Sequence, residues 1–282
     1  MLPKKLSPIF GFALALILGS FAVAKAQGTS VAITPAYVDA QVKRGTAYSK
    51  NFTITNNTKA RLLFNCSVAD YWYDEQNKRV EGRPGTFPRS ASTWVQFSPT
   101  EVVVEPNSSA SVKLLITVPS GAAGGYYAAP VFEAKPLSSE PNGNSIRTSV
   151  GISIHGVLML TTADAAEYNV EIMGGRLKPP TASSELEMQL DVRNRGTAHA
   201  RVRGVYALLD AAGKFAGRGK MKDKNLMPGQ RTAYQSWWAG QLAPGRYVAV
   251  VTLSYDRVGA EPATVVYELP FEVKQDAQPA AN

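Results

Sequence analysis

From Val31 to Leu160, apolar and polar residues alternate with a period of two, and clusters of Gly, Pro, Asn and Ser separate the runs. Strands with one buried face give this pattern. It predicts seven strands. The first covers Val31–Val42 with a break at Pro35, and the second is Tyr48–Asn56, where Phe52 and Ile54 alternate with Asn51, Thr53 and Thr55. In the third, Arg61–Tyr73, Leu62, Phe64, Cys66, Val68 and Trp72 share a face. The fourth runs through Trp94–Phe97 and Val102–Val104, interrupted at Ser98-Pro99. Val112, Leu114, Ile116 and Val118 mark the fifth, Gly125–Ala134 is the sixth, and Ile146–Leu160 is the seventh. Turns this regular predict an immunoglobulin-like β-sandwich.

The seventh strand is long: the usual length is about five or six residues, and this run has fifteen. Ile146, Val150, Ile152, Ile154, Leu158 and Leu160 lie on one parity. Two readings stay open. The row faces its own core, as alternation ordinarily implies, or it is offered to a partner by strand addition. If the strand is purely structural, Ile152 and Ile154 are expected in the core. On the opposite parity, Val157 and Met159 are the large apolar residues among Arg147, Ser149, Gly151, Ser153, His155 and Thr161. That pair needs a contact, either a second domain or a client strand. Ile152, Ile154, Val157 and Met159 are therefore the candidate partner-binding residues.

Thr161–Glu167 is small and polar and reads as a junction. A second alternating set follows. Leu186, Met188, Leu190 and Val192 end at Asn194-Arg195-Gly196, and His199–Leu209 leads into the hairpin turn Asp210–Lys214. Thr232–Trp238, Arg246–Tyr255 and Thr264–Val273 complete it. The expected organisation is a sandwich over residues 28–163, a second over 164–274, and a disordered polar tail over 275–282. The halves look like divergent copies. Each has an Asn-containing turn after its second strand, and each has a Gly-led aromatic start to a later strand, Gly125-Tyr126-Tyr127 and Gly245-Arg246-Tyr247. A tyrosine corner sits at such a position.

The N-terminus changes the picture. Lys4 and Lys5 precede an uncharged run from Ile9 to Ala22, and Ala24-Lys25-Ala26 offers small residues to a signal peptidase. Residues 1–26 read as a signal peptide cut before Gln27, because the run is shorter than the ~20 residues that span a bilayer. The mature chain is then expected to be exported, periplasmic or at the cell surface, without a transmembrane anchor. Removing Lys4, Lys5 and Lys25 lowers the formal charge from +8 to +5, which does not mark a nucleic-acid binder. Cys66 is the single cysteine, so no internal disulfide supports either domain, and its parity places it in the core.

The search for chemistry finds little. His155 and His199 are isolated, with no Cys or His at ligand spacing, so no metal or other cofactor is expected. No nucleophile motif and no phosphate-cradling glycine loop is present, and an enzyme is not expected. Tyr71, Trp72, Tyr73 and Trp237-Trp238 could stack on sugars, but alternating aromatics fill cores more often. Between Arg193 and Lys224 nine basic residues face only Asp210 and Asp223. Arg201, Arg203, Lys220 and Lys222 form a candidate basic patch for an anionic envelope polymer or an acidic protein, against a solvated face with protective edge lysines.

Three stretches carry a resemblance: Ser92–Pro99 (STWVQFSP), Val102–Pro106 (VVVEP), and Thr117-Val118-Pro119 with Gly124–Ala129 (GGYYAA). Val31–Leu160 resembles the N-terminal domain of WxL-interacting, peptidoglycan-binding-type surface proteins and, more loosely, that of PapD-like periplasmic pilus chaperones. The chaperone resemblance implies a strand lent to an incomplete pilin and a basic pair holding the pilin's C-terminal carboxylate. Lys43 and Arg44 lie near the end of the first strand, whereas mid-seventh strand offers His155 and no lysine. Two expectations follow. One is a non-enzymatic chaperone or assembly factor acting on a pilin-like or surface-protein client. The other is a structural or adhesive module binding peptidoglycan or another surface protein.

Overall fold

Pro35 has no N–H to give to a ladder, and the chain divides there. β1 (Val31–Thr34) and β2 (Tyr37–Val42) enter different sheets. The computed structural model describes residues 30–74, 77–137 and 151–274. The expected signal peptide, the expected polar tail and residues 146–150 of the expected seventh strand lie outside the described residues.

The first half continues with β3 (Ala47–Asn56), β4 (Leu62–Tyr73), β5 (Arg79–Gly82), a 3₁₀ turn at Ser92–Trp94, β6 (Val95–Ser98) and β7 (Glu101–Val104). β8 (Ser108–Thr117), β9 (Gly125–Pro136), β10 (Ile152–His155) and β11 (Val157–Thr162) complete it. One sheet has the order β1-β3-β8-β6; the other is β2-β11-β9-β4-β5, with β7 on β4 and β10 on β9. The Ser98-Pro99 break therefore moves the chain between sheets, as Pro35 does, and the expected fourth strand is two strands in different layers. Between the sheets, Phe52, Phe97 and Phe132 pack with ring centroids 5.3 to 6.0 Å apart, at the heart of a core that also holds Phe64, Leu114, Leu158 and Leu160. Cys66 is buried there.

The second half is β12 (Val170–Lys178), β13 (Leu186–Asn194), β14 (Ala200–Asp210), β15 (Phe215–Leu226), β16 (Arg231–Trp238), β17 (Gly245–Arg257) and β18 (Ala260–Val273). Its sheets are β12-β13-β16 and β15-β14-β17-β18. Leu186, Met188, Leu190 and Val192 face Val202, Leu208, Val251 and Leu253 in a separate core. The chain is all-β, two tandem immunoglobulin-like sandwiches.

The internal likeness of the halves is physical. Asn56 and Asn194 are both fully buried. The Asn56 side chain donates to the carbonyls of Ala60, Val104 and Glu105 and accepts from Thr58 N–H. Asn194 donates to Ala198 O at 2.8 Å and Leu226 O at 2.9 Å and accepts from Gly196 N–H at 2.8 Å. Each ties a turn to the carbonyl at the end of a neighbouring strand, so no buried polar group at the turn is orphaned. The tyrosine corners follow the same logic. Tyr126 Oη accepts from Ala123 N–H, and Tyr247 Oη donates to Ala243 O at 2.9 Å.

Candidate partner-binding edge and inter-domain seat

The expected seventh strand is not continuous. It bends at Gly156, where an added Cβ would come within 3.2 Å of Ala36 O, a tight contact that disfavours any larger residue. Gly156 N–H donates to Pro130 O at 2.8 Å. Proline cannot return the bond, and Arg79 Nη2 supplies it, reaching Gly156 O at 3.1 Å. Arg79 also pairs with Glu81 Oε1 at 2.8 Å and lies over the Tyr71 ring. Glu81 holds His155 Nδ1 through its second oxygen. The carboxylate can only accept, so the proton belongs on Nδ1, and in the neutral ring Nε2 accepts from Ser153 Oγ at 2.7 Å. This Arg79–Glu81–His155 cluster pins the bend to the far side of the sheet. Nothing in local sequence signals it, because β5 and β10 are about 70 residues apart and meet only across β4 and β9.

β10 pairs with β9 through Ile152↔Ala134 and Ile154↔Phe132. Bonded and non-bonded positions alternate in an antiparallel ladder. With Gly156 bonded to Pro130, Ile154 and Ile152 are the next bonded pairs. The N–H and C=O of Ser153 and His155 therefore face away from β9. Among the described residues no strand lies on that side. β2 pairs β11 from Tyr37↔Val157 onward, so among the described residues β10 protrudes past it with no strand on its outer edge.

This geometry corrects the expected core placement. Leu158 and Leu160 are fully buried, but Ile152 is 39% exposed, and Ile154 is half-buried against the first core. The row has one parity but not one environment, because the lateral cover ends at Gly156. Val31 of β1, across the gap between the sheets, is likewise only partly covered. Ile152, Ile154 and Val31 are thus incompletely covered apolar side chains, and among the described residues no strand pairs the outer backbone edge of β10.

Val157 and Met159 have a different fate. Met159 is buried with Tyr71, Tyr127, Ala129, Val131 and Met227, and Val157 packs against the same cluster. Met227 comes from the second sandwich, so of the two contacts anticipated for this pair the structure shows the inter-domain one. Met159 is buried in this contact, and Val157 is partly buried beside it. The seat is closed by polar contacts: Gly125 N–H to Thr197 O at 2.8 Å, Gln230 Nε2 to Asn77 Oδ1 at 2.7 Å, and His199 Nε2 to Asp39 Oδ2 at 3.2 Å. Burial raises both the Tyr71 and Tyr127 phenols above their ordinary range, so both stay neutral. Trp72 packs edge-on to Tyr127 with centroids 5.5 Å apart, and Trp238 lines the second core. Trp237, 56% exposed, is the one outside.

The basic patch divides. Arg201 pairs with Asp223 at 3.2 Å, and Arg203 grips Asp256 with both terminal nitrogens. The guanidinium holds the Asp256 carboxyl below its usual range. Lys220 and Lys222 are exposed and have no ion pair among the described residues. Two of the four residues are thus held in ion pairs and two are not.

Sequence reasoning also passed over Asp70, which alternation places inward and which is 1% exposed. It accepts from Phe87 N–H at 3.0 Å and from the hydroxyls of Ser90 and Ser92, fastening the loop after β5 onto β4. Among the described residues no group of three or more His, Cys, Asp or Glu could hold a metal ion, and no helix is long and apolar enough to cross a membrane.

No family model matches the chain. No curated protein matches it by sequence. Among solved structures it is similar to the class 5 fimbriae chaperone CfaA at 14% identity and a TM-score of 0.46, over 84% of this chain and 98% of that one. It is similar to a structure of the Salmonella enterica SafA pilin in complex with the SafB chaperone at 14% identity and 0.41, over 84% and 96%. For the E. coli chaperone DraB the values are 12% and 0.40, over 88% and 99%. The resemblance to WxL-interacting surface proteins finds no counterpart in these comparisons.

Proposed function

We propose that this chain is a non-enzymatic periplasmic assembly factor of the chaperone type, which holds a pilin-like or surface-protein client by strand addition at the outer edge of β10. The observation that carries this reading is the outer edge of β10, which no strand pairs among the described residues. Ser153 and His155 turn their backbone groups outward, and Ile152 and Ile154 sit half-open beside them. A client strand laid there satisfies both sets of backbone groups and places alternate side chains beside Ile152 and Ile154, the usual division of affinity and specificity in strand addition. The second sandwich, seated on Met159 and Tyr127, holds the first sheet from behind. An anionic envelope polymer is the weaker reading, because Arg201 and Arg203 are committed to Asp223 and Asp256.

Ser153→Pro tests it. The substitution removes an outward N–H and puts a ring on the edge while leaving the bonds to β9 in place. Wild type and variant are each used to pull down clients from the native envelope. The expected result is loss of the captured client with an unchanged melting curve. Equal capture by both overturns the edge as the binding element.

A further inference from the structure

The second sandwich carries an apolar face that no described residue covers. On the outer side of the sheet β15-β14-β17-β18, register aligns Arg218, Ala207, Val250 and Glu268 in one row across the four strands. The next row is Lys220, Val205, Thr252 and Val266. Val205 is 47% exposed, Val266 56%, and Phe215 at the hairpin end 59%. The face therefore has a cationic border on β15, an apolar centre, and a carboxylate border on β18. Three strand spacings separate Arg218 from Glu268, about 14 Å, too far for them to pair within one chain. Neither has an ion pair among the described residues.

We propose that this face joins two copies of the chain. A two-fold axis running along the strands in the plane of contact lays the β15 border of each copy over the β18 border of the other. Arg218 then meets the second copy's Glu268, twice per dimer, and Ala207 and Val250 meet their exchanged counterparts in the centre. A single row with the order positive, apolar, apolar, negative is self-complementary under that operation, as an isologous interface requires. Aligned sheet packing at about −30° accommodates it. The face measures roughly 20 by 30 Å, and both copies together reach the low end of stable interfaces, on the order of 1,200 Å². The face belongs to the second domain, so the pairing leaves β10 open.

Sedimentation equilibrium of the exported chain, from micromolar to hundreds of micromolar, tests the pairing. Wild type is expected to form a dimer. Arg218→Glu and Glu268→Arg should each raise the dissociation constant at least about tenfold, since each reversal acts twice and sets like charges face to face. The double variant R218E/E268R should restore the dimer. Val205→Lys, at an exposed position, should abolish it with an unchanged circular dichroism spectrum. A wild type that stays monomeric throughout overturns the proposal, as do single variants that dimerise like wild type or a double variant that fails to recover. Wild type that binds vesicles of anionic phospholipid while remaining monomeric assigns the face to a lipid surface and also overturns it.

Discussion

Asn194→Ala is the most exacting check on how the two sandwiches are built. The side chain is fully buried and has three partners: the carbonyls of Ala198 and Leu226 and the N–H of Gly196. Alanine leaves all three buried without a substitute. At roughly 1 kcal/mol for each, the lower end of the cost of a stranded buried group, the loss is ~3 kcal/mol. That is a large share of a domain's typical ~5–15 kcal/mol and lowers the melting temperature by roughly 12 °C or more. The effect also reaches the inter-domain seat, because the Asn194 backbone bonds Gln230 O and Gly229 N–H and so holds the turn that carries Met227. Asn194→Asp should cost at least as much, since it keeps the acceptor for Gly196 but aims a second acceptor at two carbonyls. The assay is urea and calorimetric unfolding of wild type, Asn194→Ala, Asn56→Ala and Asn225→Ala. The last is the control, because among the described residues its side-chain amide reaches only the Tyr37 hydroxyl, at 3.4 Å, and its loss should stay within about 0.5 kcal/mol. Asn194→Ala within about 1 kcal/mol of wild type would refute the reasoning.

Two further outcomes are expected. Ile152→Asp should cost only about 1 kcal/mol, because its side chain already reaches water, whereas Leu158→Asp buries an unpaired charge and should unfold the first domain; thermal melts that rank the two equally would place Ile152 in the core after all. Burial pushes the Cys66 thiol up to about 11, so at pH 8 it should react with a bulky disulfide reagent far more slowly in the native protein than in urea. Because the native state keeps that proton longer than the unfolded chain, the linked stability is present below the unfolded pKa and is lost as pH rises through about 11. Equal labelling rates in both states would contradict the burial.

Much of this was legible in order along the chain. Alternation located β3, β4, β8 and β13 and set the inward parity of Phe52, Phe64, Cys66 and Leu190. The two Asn turns and the two Gly-led tyrosines announced that the second half repeats the plan of the first. β12 was not legible, because Met173, Gly174 and Gly175 interrupt its alternation and its ladder shifts register between Ile172 and Gly174. The switch of sheets at Pro35 and Ser98-Pro99 was visible as a break, but the sheet each new strand would join was not.

Parity and cover are decided at different ranges. A period of two fixes which side chains share a face, since successive Cβ atoms point to opposite sides of a strand, and the sequence alone determines that. It does not fix what lies beside the strand or above the face. Ile152 and Leu158 share a parity, yet β2 ends at Tyr37 and covers one and not the other. Val157 and Met159 call for a contact in either reading, a second domain or a client, and it is Met227, about 70 residues further on, that packs with Met159. Arg201 and Lys220 look like one basic patch until Asp223 and Asp256 select between them. Each of those outcomes depends on contacts between residues distant in sequence, which the chain makes only when its strands are paired and its two sandwiches are seated.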